Sequence, residues 1–111
     1  MGISTHILNT AIGRPATGVT VTIERETSDT WSELTGGITD EDGRIAPFVT
    51  DDELAEGIYR ITFATGAYFA ELGQEAFHPE VTIDFQVRDT DQHYHVPLLI
   101  TPWSYSTYRG S

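Results

Sequence analysis

The sequence predicts a single all-β domain that carries one short helix. Its 111 residues match the usual size of one domain, and 39% of them are hydrophobic, which is enough for a packed core. Apolar and polar residues alternate along several short runs, and turn-forming residues separate these runs. Seven or eight short strands at fairly regular spacing favour a sandwich or a barrel.

The strands are predicted in two groups. Clear period-two alternation predicts half-buried strands at residues 18–25, 58–63, 81–87 and 93–101. Weaker patterns predict strands at residues 3–8, 32–35 and 44–48. Residues 65–73 (TGAYFAELG) do not alternate and predict a short helix that ends at Gly73. The sequence shows no internal repeat and no linker, so residues 1–111 are predicted to form one domain.

Composition and charge exclude several functions. The formal net charge is −11, with 17 acidic residues against 6 basic ones, and this argues against nucleic acid or an anionic membrane as a partner. The chain has no cysteine and no lysine, which excludes disulfides, thiolate catalysis and Schiff-base chemistry. The N-terminus lacks the pattern of a signal peptide, the C-terminus lacks a peroxisomal signal, and a cytoplasmic location is therefore expected.

Two histidines stand two residues apart in the last predicted strand. His93 and His95 should project from one face, while Tyr94 and Val96 begin the apolar face of the same strand. The histidine face either is a polar surface or lines a site. Such a pair could also bind a metal, but no cysteine or carboxylate ligand is nearby in the sequence, and no metal site is predicted.

Two further residues have both a functional and a structural interpretation. His6 lies in the first predicted strand, where it is either a surface histidine or part of a site. Arg44 follows an Asp-Gly turn, which would hold its guanidinium on a rigid base. That planar fork suits a carboxylate or a carbonyl with developing negative charge, although a surface ion pair is the simpler explanation.

The C-terminal segment is unusually aromatic for a free end. Trp103, Tyr105 and Tyr108 lie within the last nine residues, whereas termini are usually polar and poorly ordered. The segment is therefore expected to be buried, either in a subunit interface or ligand site or against its own domain.

Four sequence blocks together resemble one family. They occur in order along the chain, they span nearly all of it, and they read STHIL at residues 4–8, DGRI at 42–45, YHVPLL at 94–99 and YSTYRGS at 105–111. The chain is similar in all four to the 5-hydroxyisourate hydrolases of the transthyretin-like family. The terminal YRGS distinguishes these hydrolases from transthyretin, the hormone carrier that has the same fold.

This resemblance implies a fold and an assembly. The expected fold is a transthyretin-like, or prealbumin-like, β-sandwich of two four-stranded sheets. The expected assembly is a homotetramer formed from two edge-to-edge dimers, with the active sites at the interface between the dimers. His6, Arg44, His95 and the tail residues Tyr108, Arg109, Gly110 and Ser111 are implied to line each site. One departure is Asn9, where relatives commonly carry aspartate, and it leaves these residues untouched.

The resemblance also implies a reaction. The expected activity is hydrolysis of 5-hydroxyisourate, a purine-derived small molecule, to 2-oxo-4-hydroxy-4-carboxy-5-ureidoimidazoline in urate degradation. We expect His6, Arg44, His95 and Ser111 to be catalytic, and His6, Arg44, Tyr108, Arg109 and Gly110 to bind substrate. No cofactor is expected. The alternatives are a transthyretin-like carrier of small ligands without catalytic activity and a β-sandwich interaction module.

Overall fold

The computed structural model describes residues 2–111, apart from the side chains at positions 46 and 47. Nine strands, one α-helix and one short 3-10 helix follow one another within these residues. Their bounds are β1 Ile3–Asn9, β2 Arg14–Pro15, β3 Thr20–Thr27, β4 Thr30–Ile38, β5 Arg44–Val49, the 3-10 helix Asp51–Glu53, β6 Gly57–Phe63, α1 Thr65–Glu71, β7 Val81–Val87, β8 Tyr94–Ile100 and β9 Tyr105–Thr107. The predicted all-β sandwich with one short helix is confirmed. The two-residue β2 and three-residue β9 were not predicted, and with them the described residues form nine strands, in one five-stranded sheet and one four-stranded sheet rather than two four-stranded sheets.

The strands form two sheets that face each other. The first sheet, sheet A, has β1 at its centre, with β2 and β5 along one edge of β1 and β8 and then β9 on the other side. Strands β1 and β8 run parallel, whereas the other pairs are antiparallel. The second sheet, sheet B, has the order β4-β3-β6-β7 and is antiparallel throughout.

The core lies between the inner faces of the two sheets. Alternate residues of β1, β3, β6, β7 and β8 point inward, as the period-two patterns predicted, and their apolar side chains exclude water. The largest fully buried side chains are Tyr59, Phe63, Phe69, Ile3, Ile7, Ile23, Ile61, Leu98 and Ile100. Because these inward residues fix each strand, the residues between them, including His6 and His95, must lie on the outer face of sheet A.

Helix α1 covers one end of the sandwich. Thr65, Tyr68 and Phe69 are buried, and this spacing places them on one side of the helix. The amide of Asn9, itself buried, donates to the Tyr68 hydroxyl at 3.1 Å, so the helix is tied to the end of β1. The helix ends at Glu71, two residues before the predicted end, and Gly73 then adopts a left-handed φ of 72° that favours glycine.

Candidate active site

The centre of the site lies where β1 and β8 run side by side on the outer face of sheet A. The parallel register pairs Ser4 with His95 and His6 with Pro97. The side chains of Ser4, His6 and His95 therefore project from one face, and all three are half-buried. The prediction that His93 and His95 share a face is confirmed, since their rings stack with centroids 6.4 Å apart.

Arg44 joins this face from the opposite edge of β1. The antiparallel pairing of β1 with β5 places Arg44 directly opposite His6. The preceding turn is fixed by Asp40, whose carboxylate accepts from the backbone N–H groups of Asp42 and Arg44 at 2.8 and 3.0 Å. Gly43 has a φ of 74°, and any side chain there would collide with the Ile7 carbonyl. The turn therefore presents Arg44 from a rigid base, as predicted.

The guanidinium of Arg44 is available to a ligand. The side chain is exposed, and it makes no hydrogen bond or ion pair within residues 2–111. The alternative interpretation, a surface ion pair, is not observed among these residues. A free cation beside two imidazoles provides a binding point for an anionic or carbonyl oxygen.

The C-terminal tail closes over His95 from the far side. Strand β9 pairs with β8, and the N–H of Gly110 then donates to the His95 carbonyl at 2.8 Å. A Cβ added to Gly110 would stand 2.5 Å from His95 Cδ2, so the backbone of Gly110 lies directly against the imidazole ring. Ser111 follows immediately and is exposed.

Arg109 attaches the tail to β8 and the loop before it. Its guanidinium donates to Gln92 Oε1 at 2.8 Å and to the His93 carbonyl at 3.3 Å, and it lies 4.6 Å from the centre of the Tyr94 ring. Tyr108 is 61% exposed. The structure thus shows an anchoring contact for Arg109 and an uncovered ring for Tyr108.

The aromatic side chains of the tail differ in how they pack against their own domain. Tyr105 is 42% exposed, and its ring lies edge-on against the ring of His78 with centroids 5.0 Å apart. Trp103 is 63% exposed. Docking on the same domain is therefore observed for Tyr105, whereas Trp103 and Tyr108 stay mostly exposed in the single chain. A cavity of about 230 Å³ opens beside the tail, between β7 and β8, and Tyr94, Phe85 and Tyr108 contribute to its lining.

The surroundings of His95 favour its neutral form. Burial lowers the pKa of His95 below its usual 6.5, and the positive charges of Arg44, His93 and His6 lower this pKa further. A neutral imidazole at pH 7 can accept a proton, which a general base must do. The pairing of β1 with β5 and with β8 brings Arg44, His6 and His95 together from distant parts of the sequence.

Two residues of this cluster were not assigned a role from the sequence. The hydroxyl of Ser4 lies 2.8 Å from His95 Nδ1 and 2.8 Å from His93 Nε2. The sequence did contain a signal for both residues, because residues two positions apart in a strand share a face. Ser4 is two residues from His6, and His93 is two residues from His95. Within residues 2–111, no group of three or more histidine or carboxylate side chains is arranged to hold a metal ion.

The family model described as HIUase/Transthyretin family matches residues 3–110. The chain belongs to this family. A 5-hydroxyisourate hydrolase from Deinococcus radiodurans is 48% identical over 114 residues, which cover 99% of this chain and 96% of the relative. The family assignment confirms the resemblance found in the four sequence blocks.

Two solved structures of the HIUase/Transthyretin family show the same fold. The 5-hydroxyisourate hydrolase of Klebsiella pneumoniae is 43% identical, with a TM-score of 0.86 over 98% of this chain and 92% of that one. Sea bream transthyretin, solved in complex with thyroxine, is 30% identical, with a TM-score of 0.95 over 99% of this chain and 95% of that one. The fold is therefore common to a 5-hydroxyisourate hydrolase and to a transthyretin that binds thyroxine, and the side chains of the site must distinguish the two.

Proposed function

We propose that this chain hydrolyses 5-hydroxyisourate to 2-oxo-4-hydroxy-4-carboxy-5-ureidoimidazoline in urate degradation. The observation that carries the proposal is the convergence of His6, Arg44, His95 and Gly110 on one face of sheet A, in a chain 48% identical to a hydrolase of that name. A carrier needs no such set of proton-transferring and cationic groups, whereas hydrolysis of a cyclic amide does.

In the proposed reaction, His95 is the general base. Its lowered pKa keeps the ring neutral near pH 7, so that it can take a proton from water as the oxygen attacks a ring carbonyl of the substrate. The Nδ1 side of the ring is occupied by Ser4, and Nε2 is therefore the nitrogen assigned to the water.

Arg44 stabilises the negative charge that the attack creates. As water adds, the carbonyl oxygen becomes an oxyanion, and the free guanidinium can donate hydrogen bonds to it or to the anionic form of the substrate. The adjacent C–N bond then breaks, and the departing nitrogen needs a proton. His6, or the Ser111 region at the end of the chain, is assigned this role.

The tail residues Tyr108, Arg109 and Gly110 are proposed to shape the substrate pocket. Gly110 lies against the His95 ring, Arg109 holds the tail to β8, and the exposed Tyr108 is free to face a ligand. Water is the only co-reactant, and the side chains provide the proton transfers, so the proposal includes no cofactor.

The proposed assembly is a homotetramer, a dimer of dimers with the sites between the dimers. Three features of the described residues support it: β7 and β9 are unpaired edges, aromatic side chains are exposed beside β9, and the site is an open face. Exposed strand edges and apolar patches favour pairing with another chain. A second copy over the open face would exclude water and strengthen the electrostatic effect of Arg44.

The location proposed from the sequence is the cytoplasm. Within the described part of the chain, no helix is long and apolar enough to cross a membrane. Fractionation of cells that produce the protein would test this assignment directly, because enrichment in the membrane or extracellular fraction would contradict it.

A carrier function is the second candidate, because sea bream transthyretin shares the fold at a TM-score of 0.95. The two candidates predict different behaviour in solution. Binding of thyroxine without any acceleration of 5-hydroxyisourate decay would favour the carrier.

The proposed activity is tested with freshly generated 5-hydroxyisourate, whose loss is followed in the ultraviolet. The substrate also decays spontaneously, so the protein must accelerate this loss and must favour one enantiomer of the product. A decay rate equal to the spontaneous rate and a racemic product would contradict the proposal.

A further inference from the structure

The hydroxyl of Ser4 lies between two imidazole rings. Its oxygen is 2.8 Å from His95 Nδ1 on one side and 2.8 Å from His93 Nε2 on the other. The two rings stack at an interplanar angle of 13°. All three side chains are half-buried, and β1 and β8 hold them in register through the pairing of Ser4 with His95.

The hydroxyl of Ser4 has one proton, so it can donate a hydrogen bond to only one of the two imidazole rings. If Ser4 donates to one imidazole nitrogen, the other imidazole must donate to the Ser4 oxygen. Only two arrangements are therefore possible when both histidines are neutral. In the first, His95 carries its proton on Nδ1 and Ser4 donates to His93 Nε2. In the second, His93 carries its proton on Nε2 and Ser4 donates to His95 Nδ1.

The role proposed for His95 selects the first arrangement. A general base must offer a lone pair to water, and the Nδ1 side of His95 is occupied by Ser4, so Nε2 must be the unprotonated nitrogen. The neutral ring then carries its proton on Nδ1 and donates it to the Ser4 hydroxyl.

His93 has no polar side-chain partner other than Ser4 within residues 2–111. Its Nδ1 is buried and makes no hydrogen bond to any described group. This nitrogen is a donor in the first arrangement and an acceptor in the second, and it is unsatisfied in both, so it does not decide between them. The side chain of His93 makes its hydrogen bond to the Ser4 hydroxyl through Nε2. This hydrogen bond determines the direction in which the Ser4 hydroxyl proton points.

We propose that Ser4 and His93 are positioning residues that hold His95 as its Nδ1–H tautomer and leave Nε2 free to accept a proton. The hydroxyl of Ser4 accepts from His95 Nδ1–H and donates to His93 Nε2. When His95 Nε2 takes the proton of water, the resulting imidazolium keeps its hydrogen bond to Ser4. The inference rests on the proposed hydrolysis for its use, but the tautomer itself is a property of the free protein.

The tautomer is tested by NMR on the ¹⁵N-labelled full-length protein above pH 7, where the shifts of the His95 nitrogens identify the protonated one. We expect Nδ1–H in the wild-type protein and a shift toward Nε2–H in Ser4→Ala. In Ser4→Ala, kcat should fall roughly 10-fold with little change in KM, less than the ~10²–10⁴-fold that a positioned base contributes. Ser4→Thr, which retains a hydroxyl, should restore most of both readouts.

His93 is tested with a matched pair of variants. His93→Gln can still accept the Ser4 proton through its amide oxygen, whereas His93→Leu cannot, so kcat of the glutamine variant should lie closer to the wild-type value. Ser32→Ala removes a hydroxyl from sheet B and controls for the loss of a serine. These variants keep the proposal testable if Ser4→Ala fails to fold.

Two results would overturn the inference: a wild-type His95 protonated on Nε2, or an unchanged kcat in both Ser4→Ala and His93→Leu. Either result leaves the proposed hydrolysis standing if the wild-type protein consumes 5-hydroxyisourate. Absence of wild-type turnover would contradict the proposed function, and the NMR measurement would still decide the tautomer.

Discussion

Gly110 and His95 are in contact through the bare backbone of the glycine. The Gly110 N–H donates to the His95 carbonyl at 2.8 Å, and a Cβ at position 110 would stand 2.5 Å from Cδ2 and 3.2 Å from Cγ of the imidazole. A methyl group cannot occupy this space unless the ring or the tail moves. The C-terminal tail therefore contacts the proposed general base, His95, directly.

Gly110→Ala should reduce activity while the fold is retained. Displacement of a catalytic group by about 1 Å can lower the rate about 100-fold. We therefore expect kcat to fall at least 10-fold, with a circular dichroism spectrum like that of the wild type.

The control is Gly73→Ala, at a glycine that also has a left-handed backbone, with a φ of 72°. A Cβ added at Gly73 would have no atom within 4 Å, so it would displace no neighbouring group. Gly73→Ala should lower stability by about 1 kcal/mol and leave activity unchanged. Equal activities of Gly110→Ala and Gly73→Ala would show that the contact between Gly110 and the His95 ring does not affect catalysis.

The pH dependence should report the lowered pKa of His95. A general base acts only when it is deprotonated, so kcat/KM falls as the pH drops through the pKa of His95. Because burial and Arg44 lower that pKa, the acidic limb should lie below pH 6.5. Arg44→Gln removes one positive charge, which makes protonation easier and raises the pKa, so the limb should move to higher pH. Arg88→Gln, an exposed arginine after β7, should not move it.

Arg109→Ala should loosen the tail without unfolding the sandwich. The substitution removes two hydrogen bonds and the contact with the Tyr94 ring. An exposed cation–π contact contributes about 0.5–1 kcal/mol, and loss of about 1.4 kcal/mol in total lowers the ratio of docked to undocked tail roughly 10-fold. We expect kcat/KM to fall by at most about this factor and the melting temperature to change little. Arg88→Ala removes the same charge, and a similar loss of activity there would argue against an anchoring role for Arg109.

Asp29→Gly should stabilise the hairpin between β3 and β4. Ser28 and Asp29 form a two-residue turn with φ values of 48° and 69°, a conformation that glycine adopts without strain. The left-handed conformation costs about 1–2 kcal/mol for other residues, and the extra freedom of unfolded glycine offsets about 0.5–1 kcal/mol of the gain. We expect a net gain of about 0.5–1 kcal/mol in urea denaturation, with unchanged activity. A loss of stability would show that Asp29 makes a compensating contribution.

Assembly should be visible in solution. Light scattering of the purified protein should give a mass about four times that of the 12.3 kDa chain. A monomer that nevertheless turns over substrate would contradict the proposal that a second copy completes the site.

The strands were predictable because one face of each is buried. In β6 and β7, the inward residues Tyr59, Ile61, Phe63, Val81 and Val87 give a strict alternation, and β7 has the predicted bounds. Strand β9 was not predicted, because Tyr105, Ser106 and Thr107 are all exposed in the single chain and show no buried face. Its pairing with β8 depends on backbone hydrogen bonds, which leave no pattern in the side chains.

The site was predictable only in part. His6 and His95 could be placed on outward faces from alternation, and Arg44 after a rigid turn from the Asp-Gly pair. Their convergence depends on the parallel pairing of β1 with β8, which joins residues about ninety positions apart and has no local signal. The same pairing brings Ser4 to His93, and for that reason this contact could not be found from the sequence.

The most direct test of the account is the turnover of freshly generated 5-hydroxyisourate by the wild-type protein and by His95→Asn, followed in the ultraviolet against spontaneous decay. His78→Asn is the matched control, because His78 lies in the segment before β7, against the rings of Phe77 and Tyr105. We predict acceleration by the wild type and by His78→Asn, and a fall in kcat of about 10²–10⁴-fold in His95→Asn. Wild-type turnover in His95→Asn would contradict the assignment of the base.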